Sequence, residues 1–279
     1  MTASVISFIN MKGGVGKTTL CVGMGEYLAN YLQKKVLVID IDPQFNATQS
    51  LMGHYGRVDE YLKEIQPENK TIRKIFELPN SLMVDEKKVL PEEVIVSLSD
   101  NLDIILGDIN IIFDTNHEGK RIKMLRRFIH DNDLKDLYDF IFIDSPPTIS
   151  LFTDTALLAS DYYLTPVKID HYSVLGANSL NSVIRNMKTH HEKEIKHVGF
   201  VYTNTDPVPT EKTEVLKNTF ESTPSFDNSY FFDSQLTYVR DLMVGYQGNI
   251  PSCYLKSKAD ITKICDEFII RLEKLESEE

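Results

Sequence analysis

Lys12, Lys17, Thr18 and Thr19 sit in a glycine-rich turn, Met11-Lys12-Gly13-Gly14-Val15-Gly16-Lys17-Thr18-Thr19. Glycines let backbone N–H groups converge on an anion, and a helix N-terminus behind them adds the positive end of its dipole. A cradle of this kind runs from Lys12 through Gly13, Gly14, Val15 and Gly16 to Lys17, Thr18 and Thr19. Lys17 is placed to reach the β- and γ-phosphates of a nucleotide, and the Thr18 hydroxyl to hold Mg²⁺. Three aspartates could complete such a site: Asp40 and Asp42 after one apolar run, and Asp144 after another. Ligands of open α/β sheets bind at the carboxyl ends of strands, so acids there converge on a metal and a γ-phosphate. The dinucleotide fingerprint G-x-G-x-x-G fails, because its third glycine falls on Thr19.

The elements that must carry these groups follow from the apolar pattern. Residues 36–39 and 140–143 are continuous apolar runs of strand length, and 5–9 is an apolar run broken only by Ser7. Such runs suit parallel strands covered on both faces. Residues 17–32 read as a helix, with Leu20, Met24, Tyr27, Leu28 and Tyr31 at spacings of three and four. Further strands are expected at 102–106, 162–167 and 198–202, and helices at 120–132, 153–159, 173–190 and 211–220. The span 45–100 reads as peripheral short helices at 47–52, 72–76 and 92–98, punctuated by Pro67, Pro79 and Pro91. Residues 109–113 are ambiguous, and 222–232 read as loop. The last helix presents Ile261, Ile264, Cys265, Phe268, Ile269, Leu272 and Leu275 on one face. Alternating strands and helices predict an α/β fold with a doubly wound, mostly parallel sheet flanked by helices. No linker divides it, so a single domain over 1–279 is expected.

Composition narrows the classes. Of 279 residues, 42% are hydrophobic and 25% charged, which is ordinary for a globular protein. Thirty Lys plus Arg against 41 Asp plus Glu give a net charge of −11, so any nucleic-acid contact needs a local basic patch. The three cysteines, Cys21, Cys253 and Cys265, are far apart and form no C-x-x-C pair, which points to a reducing compartment. No signal peptide and no run of membrane-spanning length is present, and a cytoplasmic location is expected.

The general phosphate-loop pattern places its first glycine at position 11, where this chain has Met11, and it adds Lys12 before Gly13 and Gly14. K-G-G-x-G-K-T-T resembles the deviant Walker A motif of the ParA/MinD family of P-loop ATPases. Asp42-Pro43-Gln44-Phe45-Asn46-Ala47-Thr48 is similar to that family's D-P-Q-G-N-A-T, with Phe45 in place of glycine. Residues 101–105 resemble its N-L-D-x-I segment and 144–147 its D-x-P-P. Pro166 and Val167, with Tyr172 and Gly176, resemble a further P-V…G segment. The resemblance implies the P-loop NTPase fold, ATP and Mg²⁺ as cofactors, and slow hydrolysis until a partner acts. It gives Lys12 a role across a dimer interface, on the partner subunit's nucleotide. It gives Asp42 the orientation of the attacking water, Asp40 a place nearer the magnesium shell, and Asp144 the Walker B carboxylate. Asn204 and Asp206 map onto the adenine-contact region.

Within the family the D-P-Q element favours the ParA side. The acidic end, Arg271 to Glu279, would be repelled by anionic lipid, against the MinD type. With no domain ahead of the loop, the chain resembles a small ParA. That implies an ATP-dependent homodimer on nonspecific DNA, nucleoid-associated when ATP-bound, and a ParB-like or other centromere-binding adaptor. Two basic clusters are candidates for DNA: Lys120, Arg121, Lys123, Arg126 and Arg127, and Arg185, Lys188, Lys193 and Lys196. A positioning ATPase for a non-DNA cargo would share every catalytic residue. A cluster scaffold lacks its cysteine pair, and Lys12 argues against a metabolic kinase or synthetase.

Overall fold

The apolar runs form the centre of an eight-stranded sheet in the computed structural model, which describes residues 2–77, 88–114, 118–245 and 248–278. The first half runs β1 (Ser4–Phe8), α1 (Lys17–Asn30), β2 (Val36–Asp40), α2 (Asn46–His54), α3 (Val58–Glu60), α4 (Ile72–Ile75), β3 (Ile95–Ser99) and β4 (Leu102–Ile105). It continues through α5 (Glu118–Arg121), α6 (Met124–Asp131), α7 (Leu134–Leu137) and β5 (Phe140–Asp144). The second half adds α8 (Leu151–Ala159), β6 (Tyr162–Val167), α9 (Ser173–His191), β7 (Lys196–Thr205), α10 (Glu211–Glu221), β8 (Leu236–Thr237), α11 (Arg240–Val244) and α12 (Leu255–Ser277).

The strand order is β3-β4-β2-β5-β1-β6-β7-β8, parallel except where β3 pairs antiparallel with β4. Strand periodicity explains the continuous apolar runs. Ile6, Phe8, Val36 and Val38 pack on one face with Leu20 and Met24 of α1 and Ile261 and Phe268 of α12. Val5, Leu37, Ile39, Ile141 and Ile143 point to the other face and meet Leu125 and Phe128 of α6 and Phe152 of α8. With both faces covered, every residue of β1, β2 and β5 is buried. All three strands end on the same edge, where the phosphate loop and the aspartates lie. Among the described residues no helix is long and apolar enough to cross a membrane.

The differences from the sequence expectation have local causes. Residues 92–98 are not a helix: a 3-10 turn at Pro91–Glu93 leads into β3. The free edge of β4 offers this β-branched stretch a ladder of hydrogen bonds, which outweighs its helix-like spacing. The helix expected over 120–132 breaks between α5 and α6. The break lets Ile122 pack with Ile9 and Leu157 while Leu125, Phe128 and Ile129 enter the core cluster under β1 and β5. Residues 109–113 lie in a 3-10 turn, and β8 and α11 carried no readable signal. Ile269 is only partly buried on α12. Pro79 lies outside the described residues.

Candidate functional site

Between β1 and α1 the chain folds back on itself through two left-handed residues, Gly14 (φ 71°) and Gly16 (φ 81°), conformations that glycine adopts without steric cost. Asn10, buried at the end of β1, anchors the turn from behind. Its Nδ2 donates to the Pro166 carbonyl (2.8 Å), and its Oδ1 accepts from the Lys12 amide (3.0 Å). The end of β7 clasps the loop from the side. Thr203 Oγ1 donates to the Val15 carbonyl, and Asn204 Nδ2 donates to the Gly14 carbonyl at 3.3 Å. The first turn of α1 has no side-chain cap and no acidic residue. Its amide N–H groups are therefore available to an anion, with the helix dipole aligned behind them.

Lys17 is buried at the start of α1, its Nζ 3.4 Å from the Lys12 carbonyl. Burial pushes its ammonium pKa down, and the charges of Asp144 and Asp42 oppose that. Thr18 Oγ1 donates to Asp144 Oδ2 at 2.7 Å. The second oxygen of Asp144 is buried and accepts no hydrogen bond. Burial first, and then the charge of Asp40, push the Asp144 carboxyl well up. A buried carboxylate oxygen without a donor is costly to leave unpaired, and a hard cation or its water would satisfy it. The pair Thr18 and Asp144 thus fits Mg²⁺.

Asp42 is buried beside Lys17. Its Oδ1 accepts the Gln44 amide at 2.9 Å, and burial raises its pKa while the Gln44 bond and Lys17 lower it. Asp40, expected nearer the magnesium shell, has a carboxylate that the protein itself engages. Oδ2 accepts from the Thr48 amide (2.7 Å) and hydroxyl (2.8 Å), and Oδ1 from the Asp42 amide (3.3 Å). Asp40 therefore ties the first turn of α2 to the end of β2 and builds the turn that presents Asp42. Full burial pushes its pKa up to about 7 against the bonds from Thr48.

Phe45, where the family motif has glycine, takes the left-handed conformation itself (φ 42°). The turn after Gln44 is thereby kept, at a strain of roughly 1 kcal/mol. Gly107 accommodates it: a Cβ there would lie 2.7 Å from Phe45 Cβ and 3.0 Å from Asp40 Cγ. Gly107→Ala should therefore lower unfolding stability by about 1–3 kcal/mol in a urea titration, and adding Phe45→Gly should restore part of the loss. Additive losses would show that the two residues do not compete for this space.

Beside the loop opens a cleft of about 990 Å³, lined by Lys168, Asn204, Asp206, Asp233, Tyr238 and Lys263 among others. Asn204, with a left-handed φ of 53°, touches the loop, whereas Asp206 stays exposed on the cleft wall. Gly13 and Gly14 are exposed, Thr19 is half-buried, and Val15 is buried beneath the loop. Lys12 Nζ pairs with the Asp170 carboxylate, in the connection between β6 and α9. Asn10, Thr203, Gly107 and Asp170 escaped the sequence reading. Asn10, a polar residue closing an apolar strand, was the most legible of them.

The two basic clusters approach each other where Arg126 of the first lies near Lys193 of the second. Arg185, Lys188, Lys193 and Lys196 line a cleft of about 450 Å³. Burial pushes the Lys193 pKa down; the charge of Asp161 opposes that, and those of Arg126 and Lys135 add to it. Arg121 leaves the candidate set: it is buried, with Nη1 donating to the Phe76 carbonyl at 2.7 Å.

A parallel sheet with a glycine-rich loop, a buried lysine and a Thr–Asp pair at the carboxyl ends of its strands defines a P-loop nucleoside-triphosphate site. The family model AAA_31, an AAA domain, matches residues 3–197, more than half of the chain. Soj of Bacillus subtilis (strain 168), a sporulation initiation inhibitor protein, is 31% identical over 208 residues, covering 72% of this chain and 73% of its own. This chain belongs to the ParA/Soj family of P-loop ATPases, one of whose members, from Myxococcus xanthus (strain DK1622), is named chromosome partitioning protein ParA. The fold is similar to that of a putative plasmid partition protein from Borrelia burgdorferi bound to AMPPNP. The TM-score is 0.71 at 22% identity, over 97% of this chain and 100% of that one. Cobyrinic acid a,c-diamide synthase from Mycobacterium smegmatis, with a bound ATP analog and magnesium, has a TM-score of 0.73 at 19% identity, over 95% and 93%.

Proposed function

We propose that this chain is one ATPase domain that binds ATP·Mg²⁺, dimerises around it and hydrolyses it slowly to drive partition of DNA. The observation that carries the reading is the convergence of Lys17, Thr18, Asp42 and Asp144 on one loop that also presents Lys12. Thr18 and Asp144 would hold Mg²⁺, the carboxylate through water; the metal neutralises charge developing on the phosphates. Lys17 and the amides of residues 13–19 would carry the β- and γ-phosphates. Asn204 and the cleft beside it would take the adenosine end, with Asp206 on its wall. Asp42 would hold a water for in-line attack through the carboxylate oxygen that Gln44 does not engage. A buried carboxylate close to a lysine is a modest base, which agrees with slow unstimulated turnover. Lys12 of the partner subunit would complete each site, so that the nucleotide state sets the oligomeric state.

In the cell the dimer would sit on nonspecific DNA over the nucleoid and release it when a centromere-bound, ParB-like adaptor stimulates hydrolysis. Gel filtration and DNA binding with and without ATP test this reading. The expected result is an ATP-dependent dimer whose DNA affinity falls steeply with salt. A Lys193→Glu, Arg126→Glu variant should keep ATP binding, weaken DNA binding and lower the salt slope by roughly one per lost phosphate contact. An ATP-dependent dimer that ignores DNA at about 50 mM salt would move the reading to a non-DNA cargo. Asp131, Asp161 and Glu194, which pair with Arg127, Lys135 and Lys188, are the observation that favours this second reading.

A further inference from the structure

Lys12 does not project freely from the loop. Its ammonium is paired with the carboxylate of Asp170, in the segment that joins β6 to α9. The pair is built from both sides. Asn10 fixes the Lys12 backbone by accepting its amide at 3.0 Å, and α9 comes close enough that a Cβ on Gly176 would lie 3.4 Å from Lys12 Cβ. Asp170 is held by its own turn: Oδ1 accepts the Tyr172 amide at 2.8 Å, and Ser173 Oγ accepts the Asp170 amide at 2.9 Å. Burial works to raise the Asp170 carboxyl, and the bonds from Lys12, Tyr172 and Ser173 outweigh it and hold it below the usual range. Oδ2 carries the lysine while Oδ1 carries the turn, so the two duties are separable.

From this geometry we infer that Asp170 is a positioning residue that latches Lys12 inside its own protomer and so opposes assembly until ATP is bound. The inference rests on the shared-site reading above. One ammonium cannot pair fully with Asp170 and also lie against a γ-phosphate of the partner subunit. Dimerisation therefore exchanges a carboxylate for a phosphate, once per protomer. ADP, which lacks the γ-phosphate, offers Lys12 less in exchange, so the latch separates the two nucleotide states. Both side chains are partly exposed, at 26% and 36%, which keeps the pair weak enough to open.

Asp170→Asn isolates the latch, because an asparagine Oδ1 still accepts the Tyr172 amide while the charge facing Lys12 is gone. With a non-hydrolysable ATP analogue, sedimentation should show the variant dimerising about three- to tenfold more tightly than wild type. Analogue binding to the monomer should be unchanged, and Asp170→Glu should behave nearly as wild type. Salt should weaken assembly of Asp170→Asn more than that of wild type, because in wild type screening also loosens the opposing pair. A merely structural role for Asp170 would not move this salt response. If wild type dimerises and Asp170→Asn matches it or assembles less well, the latch is wrong and the shared site stands. If neither protein dimerises with the analogue, the shared-site reading falls and the latch with it.

Discussion

Lys12→Ala should bind ATP about as well as wild type, stay monomeric with it, and lose hydrolysis by roughly 10³-fold or more, the scale of a cation supplied in trans to a γ-phosphate. The separation follows from where the two lysines lie. Lys17 is buried at the start of α1, under the nucleotide's own cradle, while Lys12 reaches outward to Asp170 at the β6–α9 connection. Removing Lys12 leaves the glycine turn, the α1 amides, Thr18 and Asp144 in place. On the proposed reading, removing Lys17 would delete charge-assisted bonds to the phosphates, and Lys17→Ala should weaken ATP itself by roughly 10- to 100-fold. Titration with a fluorescent nucleotide, together with gel filtration and phosphate release, distinguishes the two. A Lys12→Ala protein that dimerises with ATP would sink the trans role, and one that loses ATP affinity as Lys17→Ala does would make Lys12 a ligand of its own site.

Asp42→Ala should have the second large effect, and in the opposite direction on assembly. Hydrolysis should fall roughly 10²- to 10⁴-fold, the range for a positioned base, and the ATP-bound dimer should accumulate. The Asp42 carboxylate accepts the Gln44 amide, whereas the Asp40 carboxylate accepts the amide and hydroxyl of Thr48. The alanine should therefore keep the fold and the nucleotide while losing the water's anchor. Asp40→Ala should do the reverse and lower stability by removing the acceptor of the Thr48 amide and hydroxyl. Single-turnover hydrolysis and gel filtration check both variants. Wild-type hydrolysis in Asp42→Ala, or a monomer with ATP, would remove Asp42 from the role given to it.

Much of this site was legible in the chain because its parts are local. A phosphate cradle is built from consecutive backbone amides, so the spacing of Gly13, Gly14 and Gly16 before Lys17 and Thr18 writes it directly. Buried parallel strands need apolar residues on both parities, and those runs point to the aspartates that end them. The identical local signal could not separate Asp40 from Asp42. They stand two residues apart with the same chemistry, and only the fold shows that Asp40 takes Thr48 as its partner and Asp42 takes Gln44.

Other features depend on contacts between residues far apart in sequence. The β3 segment reads as helix by spacing and becomes a strand because β4 has a free edge. Gly107 must lack a side chain because Phe45, 62 residues earlier, takes a left-handed turn against it. Arg121 counts as surface charge in the sequence and is buried against the Phe76 carbonyl. The pairing of Lys12 with Asp170 spans 158 residues, and it exists because the parallel order β1-β6 sets the two strand ends side by side. Residue types and short-range spacing determined the glycine turn and the α/β class, since backbone geometry and strand burial act over a few residues. Strand order and side-chain packing act over the whole chain, and they alone decided which partner each aspartate takes and which one holds Lys12.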